Sequence, residues 1–255
     1  MEQLTPYLIT VIKCLAAILA AIFLGNGAVY FFNKMPARWF CDYGEAPSNE
    51  ASKKTPNGLP EGTSEEPTGS GKRRIRSHPW KIVFTMLFVV LGIWLVIDDW
   101  RFAVAALCSA WLLIEMAIGD ALCRIVPDQL ILLLGVTAVG YLPYYDNWQF
   151  CVIGGLAGFG LMGFVALLGR LIYRRDTVGG GDIKLFAALG FVTGAYGIVT
   201  IFVVSTLLSA AHFLFLMAQK KVRRGESRPM VPYIAVAAIA YLAFFWGIPE
   251  MMFSL

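Results

Sequence analysis

Charge is what this chain has least of. Only 15% of its 255 residues are Asp, Glu, Lys or Arg, against 58% hydrophobic residues, whereas soluble domains carry about 25% charged residues. One soluble core cannot hide that much apolar surface, so a soluble globular domain is excluded. Histidine occurs twice, and the five cysteines (Cys14, Cys41, Cys108, Cys123, Cys151) fall at no metal-ligand spacing. They read as small apolar residues, and no metal site is expected. The basic clusters flank apolar stretches and lack a base-stacking module, which excludes nucleic acid as a partner. The first apolar stretch, from about Pro6 to Phe32, has no basic segment before it and is too long for a signal-peptide core, so it is expected to remain as a span.

What the chain does have is a succession of apolar stretches separated by charged breaks. Their length of about 17 to 25 residues points to membrane-spanning helices rather than barrel strands, which would alternate apolar and polar over about ten residues. The fold class is therefore all-α, polytopic, in a lipid bilayer. After the first span (1–32), residues 33–80 turn polar, and Ala46 to Gly71 holds almost no apolar residue and is expected to be disordered. Residues 81–255 form the membrane core, with apolar stretches near Ile82–Ile97, Phe102–Ile118, Leu130–Leu142, Val152–Ile172, Ile183–Ala218 and Tyr233–Trp246. The stretch Ile183–Ala218 is too long for one span at about 1.5 Å per residue, and Gly194-Ala195-Tyr196-Gly197 offers a turn that divides it. About eight spans result.

The distribution of basic residues orients them. With the first loop in the cytoplasm, all of the 21 Lys and Arg residues except Lys13 and Arg101 fall on the cytoplasmic side, as the positive-inside rule requires. Both termini then lie outside, and Asp120 and Asp182 both emerge at the cytoplasmic face. Were Ile183–Ala218 a single span, the last basic cluster would be carried outward.

Those two carboxylates are the candidate chemistry. An Asp beside hydrocarbon is costly, by about 2.5 to 3.5 kcal/mol at mid-helix, and so marks a functional position. Asp120 closes the third span, and Asp182 opens the sixth directly after Gly179, Gly180 and Gly181. The glycines allow positive φ and close approach of an extended peptide. The run lacks the second spaced glycine and Lys-Ser/Thr of a phosphate loop. Two carboxylates in one low-dielectric pocket do not both ionise easily. One can then take a proton from water while the other polarises a scissile carbonyl, with no metal and no acyl intermediate. Asp caps or Arg partners at span ends are the bland alternative for either residue alone.

Pro127 suits the start of the next helix. Asp128 follows it, where its carboxylate either meets free backbone N–H groups or contacts substrate. Lys184 either tunes Asp182 and orients the turn or is a solvated interfacial lysine. Glu115 lies about 140° around the helix from Asp120, His212 is expected to be a hydrogen-bonded core histidine, and Trp39, Trp80, Trp100, Trp148 and Trp246 read as an interfacial belt. Trp94 and Trp111 read as packing residues.

The segment Asp120 to Asp128, with its Pro127-Asp128, and the run Gly179 to Gly190 (Gly-Gly-Gly-Asp-Ile-Lys-Leu-Phe-Ala-Ala-Leu-Gly) resemble the two motifs of the type IV prepilin peptidases, membrane aspartic peptidases of the Gly-x-Gly-Asp class. Val231-Pro232-Tyr233-Ile234-Ala235 resembles the opening of that family's last span. The resemblance implies that Asp120 and Asp182 are the catalytic pair. It implies as partner a pilin-like precursor whose short basic leader is removed at the cytoplasmic face of the inner or plasma membrane. It supplies no cofactor for proteolysis. Many members carry two Cys-x-x-Cys pairs in the first loop, where this chain has only Cys41, and Gly25 to Pro36 matches the family's early segment weakly. S-adenosylmethionine is therefore expected only if the N-methylation of bifunctional members is retained. Two other readings are a related peptidase acting on other signal-bearing proteins and a small transporter. The transporter predicts an internal repeat and charges near mid-membrane, and the sequence has neither.

Overall fold

The computed structural model describes residues 5–36, 39, 77–174, 178–219 and 229–247. The expected disordered linker 46–71, Cys41, and most of the basic residues counted above between 38 and 76 and between 220 and 228 lie outside the described residues. The described chain is helical: α1 (Thr5–Lys34), α2 (Ser77–Asp98), α3 (Trp100–Cys123), α4 (Asp128–Thr137), α5 (Gln149–Tyr173), α6 (Gly180–Ala218) and α7 (Val231–Ala240). A tight 3-10 turn, Ala138–Tyr144, extends α4, and a wider π turn, Tyr241–Phe245, extends α7. Among the described residues there is no strand.

Five of these helices are long and apolar enough to cross a membrane (Tyr7–Lys34, Pro79–Asp98, Trp100–Cys123, Gln149–Tyr173, Gly180–Ala218), and Asp128–Tyr144 and Val231–Phe245 are shorter apolar helices. Their outward faces carry Leu19, Phe23, Val90, Leu132, Leu167 and Leu171, each more than half exposed. Such a continuous apolar exterior is foreign to a soluble monomer and suits hydrocarbon.

The helices pack closely where glycine removes the side chain. Gly25 of α1 lies against Thr85 of α2, where a Cβ would sit 2.5 Å from the Thr85 Cα, and Gly92 of α2 faces Ala17 of α1. The pair is thus antiparallel. Asp99 caps α3 by accepting the Arg101 N–H at 2.9 Å, which lets α2 turn into α3 within one residue. α3 is the most buried of the long helices. Its Leu112, Leu113 and Met116 join Leu130 and Leu134 of α4, Leu185, Phe186 and Leu189 of α6, and Ile234 of α7 in the main core. A buried hydroxyl chain ties α3 to α4: Tyr141 donates to Ser109 at 3.0 Å, and Ser109 pairs with Thr137 at 2.9 Å.

The division expected near Gly194 is present. Gly194 takes φ 70° and ψ 178°, interrupting the helical backbone of α6, a conformation open essentially to glycine alone. The chain turns back there. Phe186 and Phe202 bring their ring centroids within 6.0 Å, whereas a straight helix would hold them about 24 Å apart at about 1.5 Å per residue. Both arms contact one point of α5: a Cβ on Gly158 would lie 2.2 Å from the Phe186 carbonyl oxygen and 3.2 Å from Ile198 Cγ1. Gly154 and Gly190 abut backbone to backbone in the same groove.

Tracing the segments gives the bundle two distinct ends. One end gathers Asp99, Tyr144, Tyr145, Gly194 and Trp246: Tyr144 donates to Asp99 at 2.5 Å, and Tyr145 donates to the Val192 carbonyl at 2.9 Å. Trp246 packs there edge-on or tilted against Phe102, Tyr141 and Tyr145. Asp120, Asp128, Asp182 and Val231 lie at the other end. The Trp94 indole donates to the Ala243 carbonyl at 3.0 Å and packs on Phe244 while remaining about half exposed. It is a tie between α2 and the end of α7 rather than an interior packing residue.

Candidate active site

Asp120 lies in the last turn of α3, which ends because Arg124 adopts the left-handed conformation (φ 57°) and returns its N–H to the Asp120 carbonyl. That turn sends the chain across Ile125 and Val126 to Pro127, the residue that caps α4 from an extended conformation with φ −64°. Proline fits because its missing N–H is one that a helix start leaves unpaired. Asp128 is the first residue of α4.

The side chain of Asp120 is buried, 9% exposed, and points at the start of α7. Its Oδ2 accepts the backbone N–H of Val231 at 2.9 Å. This is a free N–H group at a helix N-terminus, where the partial positive charge of the helix favours a carboxylate. Pro232 follows Val231 in the first turn of α7 and has no N–H of its own to satisfy. The Val231 contact is the part of the site that the residues alone do not assign. The signal was present in the Val231-Pro232 start of the last span, but only folding brings it to a residue 111 positions away.

Asp182 is the third residue of the first turn of α6, after the cap residue Gly179. Its carboxylate lies beside that cap residue, where a Cβ on Gly179 would sit 3.6 Å from Asp182 Oδ2. It is half-buried, and the charge of Asp120 acts on it. The third and sixth apolar segments therefore deliver their aspartates to one place.

Of the two uses of glycine expected in this run, positive φ is not taken. Among the described glycines only Gly194 and Gly247 have positive φ, and Gly179 sits at φ −69° in ordinary extended backbone. The need for glycine here is thus spatial, not conformational. A Cβ on Gly180 would meet nothing within 4 Å, and one on Gly181 would rest 3.4 Å from Val126 Cβ. The edge beside Asp182 is open, with a bare backbone.

Lys184 does not point to Asp182. Its Nζ binds Asp128 Oδ2 at 2.7 Å, so the carboxylate of Asp128 serves a partner on another helix, and Pro127 contributes no side-chain cap. Glu115 is fully buried within α3. His212 is exposed rather than a core residue; it is hydrogen-bonded to Tyr233 of α7, because the second arm of α6 runs along the outside of the bundle. Among the described residues no group of three or more His, Cys, Asp or Glu is arranged to hold a metal ion.

Residues 106–214, which contain both aspartate motifs, match the Type IV leader peptidase family. Individual relatives agree. The chain is 29% identical over 184 residues to the prepilin leader peptidase/N-methyltransferase of Xanthomonas campestris pv. campestris, covering 69% of this chain and 63% of that protein. Against the protein of the same description from Bacillus subtilis, identity is 29% over 66% of this chain and 64% of the other. Against that of Dichelobacter nodosus it is 31% over 56% and 48%. The chain thus spans less than two thirds of the length of these relatives. No solved structure matches it. The similarity to the type IV leader peptidase family thus runs through residues 106–214, the segment that carries both Asp120 and Asp182.

Proposed function

We propose that this protein is a membrane aspartic endopeptidase that removes the leader peptide of pilin-like precursors, with Asp120 and Asp182 as its catalytic pair. The observation that carries the reading is that two isolated carboxylates, Asp120 of α3 at the N-terminus of α7 and Asp182 of α6, come near enough for the charge of one to act on the other. A water molecule held between them loses a proton to one carboxylate as its oxygen attacks the scissile carbonyl, while the other carboxylic acid donates to the carbonyl oxygen. Collapse of the tetrahedral species breaks the C–N bond, and a proton passes to the departing amine. The Val231 N–H group holds Asp120 in one rotamer throughout.

The open backbone at Gly180 supplies room for an extended peptide to lie beside Asp182. We place this end of an eight-span bundle at the cytoplasmic face of the inner or plasma membrane, with the two arms of α6 as separate spans. A basic leader entering there and a hydrophobic helix retained in the bilayer are the chemistry such a site accommodates. Proteolysis in this scheme uses no cofactor, and S-adenosylmethionine would enter only with a separate methyl transfer. The reading is tested by leader removal from a pilin-like precursor with the purified protein and with Asp120→Asn and Asp182→Asn. Both variants are expected to lose turnover and keep their fold, and normal cleavage by either rejects the assignment.

A further inference from the structure

We propose that Lys184 and Asp128 form a clasp that sets the spacing of the two aspartate-bearing segments, making both of them positioning residues for the reaction; this inference rests on the peptidase reading above. Lys184 follows Asp182 by two residues in the first turns of α6, and Asp128 opens α4 at the end of the short loop that leaves Asp120. Their 2.7 Å contact closes a ring that runs from Asp120 through the loop to Asp128, across to Lys184, and back to Asp182. Inside that ring Gly181 faces Val126, close enough that a Cβ added to the glycine would rest 3.4 Å from Val126 Cβ. The starts of α4 and α6 are thus held to each other by this ion pair.

The clasp is electrostatic and partly wet, with side-chain exposures of 54% for Lys184 and 30% for Asp128. An ion pair so placed adds little to overall stability. Its consequence is local: it joins two segments whose carboxylates must share one water. Reacting groups misplaced by about 1 Å lose on the order of a hundredfold in rate, so a modest change in spacing is visible in turnover long before the fold responds.

The test is a charge reversal read in kcat and KM on a pilin-like precursor. Asp128→Asn and Lys184→Met are each expected to lower kcat by about tenfold with KM nearly unchanged, an effect of positioning. The reversed pair, Asp128→Lys with Lys184→Asp, should recover most of that loss. Unchanged kcat in both single variants overturns the clasp, as does a reversed pair no better than the singles. A readout independent of cleavage uses spin labels at 121 and 180, beside the two aspartates. Wild type should give a narrow distance distribution and either single variant a broader one, and identical distributions overturn the clasp. Should wild type fail to cleave any precursor, the peptidase reading falls while the label distances still decide the clasp.

Discussion

Val231 donates its backbone N–H to Asp120 Oδ2 across 2.9 Å, which makes the first turn of α7 the orienting partner of a carboxylate on α3. The contact separates two kinds of substitution. Asp120→Asn keeps an acceptor for that N–H and should remain as stable as wild type while losing activity. Asp120→Ala should lose activity and also about 1–3 kcal/mol of stability, the cost of a buried donor left without an acceptor. Thermal unfolding in detergent beside the cleavage assay distinguishes them, and equal stability of the two variants would contradict the contact.

The groove between α5 and α6 depends on absent side chains. A Cβ at Gly190 would stand 2.0 Å from the Gly154 carbonyl oxygen, a backbone atom that cannot swing aside. Gly190→Ala should therefore cost about 1–3 kcal/mol or more through overpacking. Gly160, on another face of α5, has nothing within 4 Å of its missing Cβ. Gly160→Ala should gain about 0.5–1 kcal/mol from helix preference. Denaturation of both variants measures the contrast.

The reversal at Gly194 fixes which residues share a side of the membrane. In a chain cleared of its native cysteines, one introduced at exposed Tyr196 should react with a membrane-impermeant maleimide from outside. One at Gln219, past the end of the second arm, should react only from inside. Labelling of both from the same face would remove the separate span. At Gly194 itself, substitution by alanine puts a Cβ on a backbone with φ 70° and ψ 178° and is expected to cost about 1–3 kcal/mol.

The far end of the bundle carries a pH signature. The hydroxyl of Tyr144, and then the N–H of Arg101, hydrogen-bond Asp99 and hold its carboxyl below the usual carboxylate range. A depressed folded-state pKa contributes stability that is present above the unfolded value, about 3.9, and is lost as pH falls through the folded value. Asp99→Asn should therefore flatten the acid limb of the stability profile below about pH 4 by lowering stability at neutral pH toward that of the protonated wild type. An unchanged acid limb would count against the Tyr144 contact.

Much of the site was legible because its signals are local. Asp120 and Asp182 stand out as isolated acids at apolar boundaries, Pro127 marks a helix start, and Gly194 marks a break in a stretch too long for one span. What is not legible is a partner remote in sequence. The residues leave Lys184 either beside Asp182 or solvated, and the fold pairs it with Asp128 on α4. Of the two uses of glycine expected at Gly179–Gly181, positive φ is not taken, while a Cβ on Gly180 would meet nothing within 4 Å.

Hydropathy and spacing alone determine that the chain is a helical membrane protein with paired acids at helix boundaries, because the cost of putting polar backbone and charge in hydrocarbon constrains every stretch independently of the others. Tertiary structure alone decides that Val231 faces Asp120, that Asp128 holds Lys184, and that the two arms of α6 lie side by side. Those contacts follow from how closely helices approach at their glycines and from which termini meet at one end of the bundle, and neither is encoded in any single stretch.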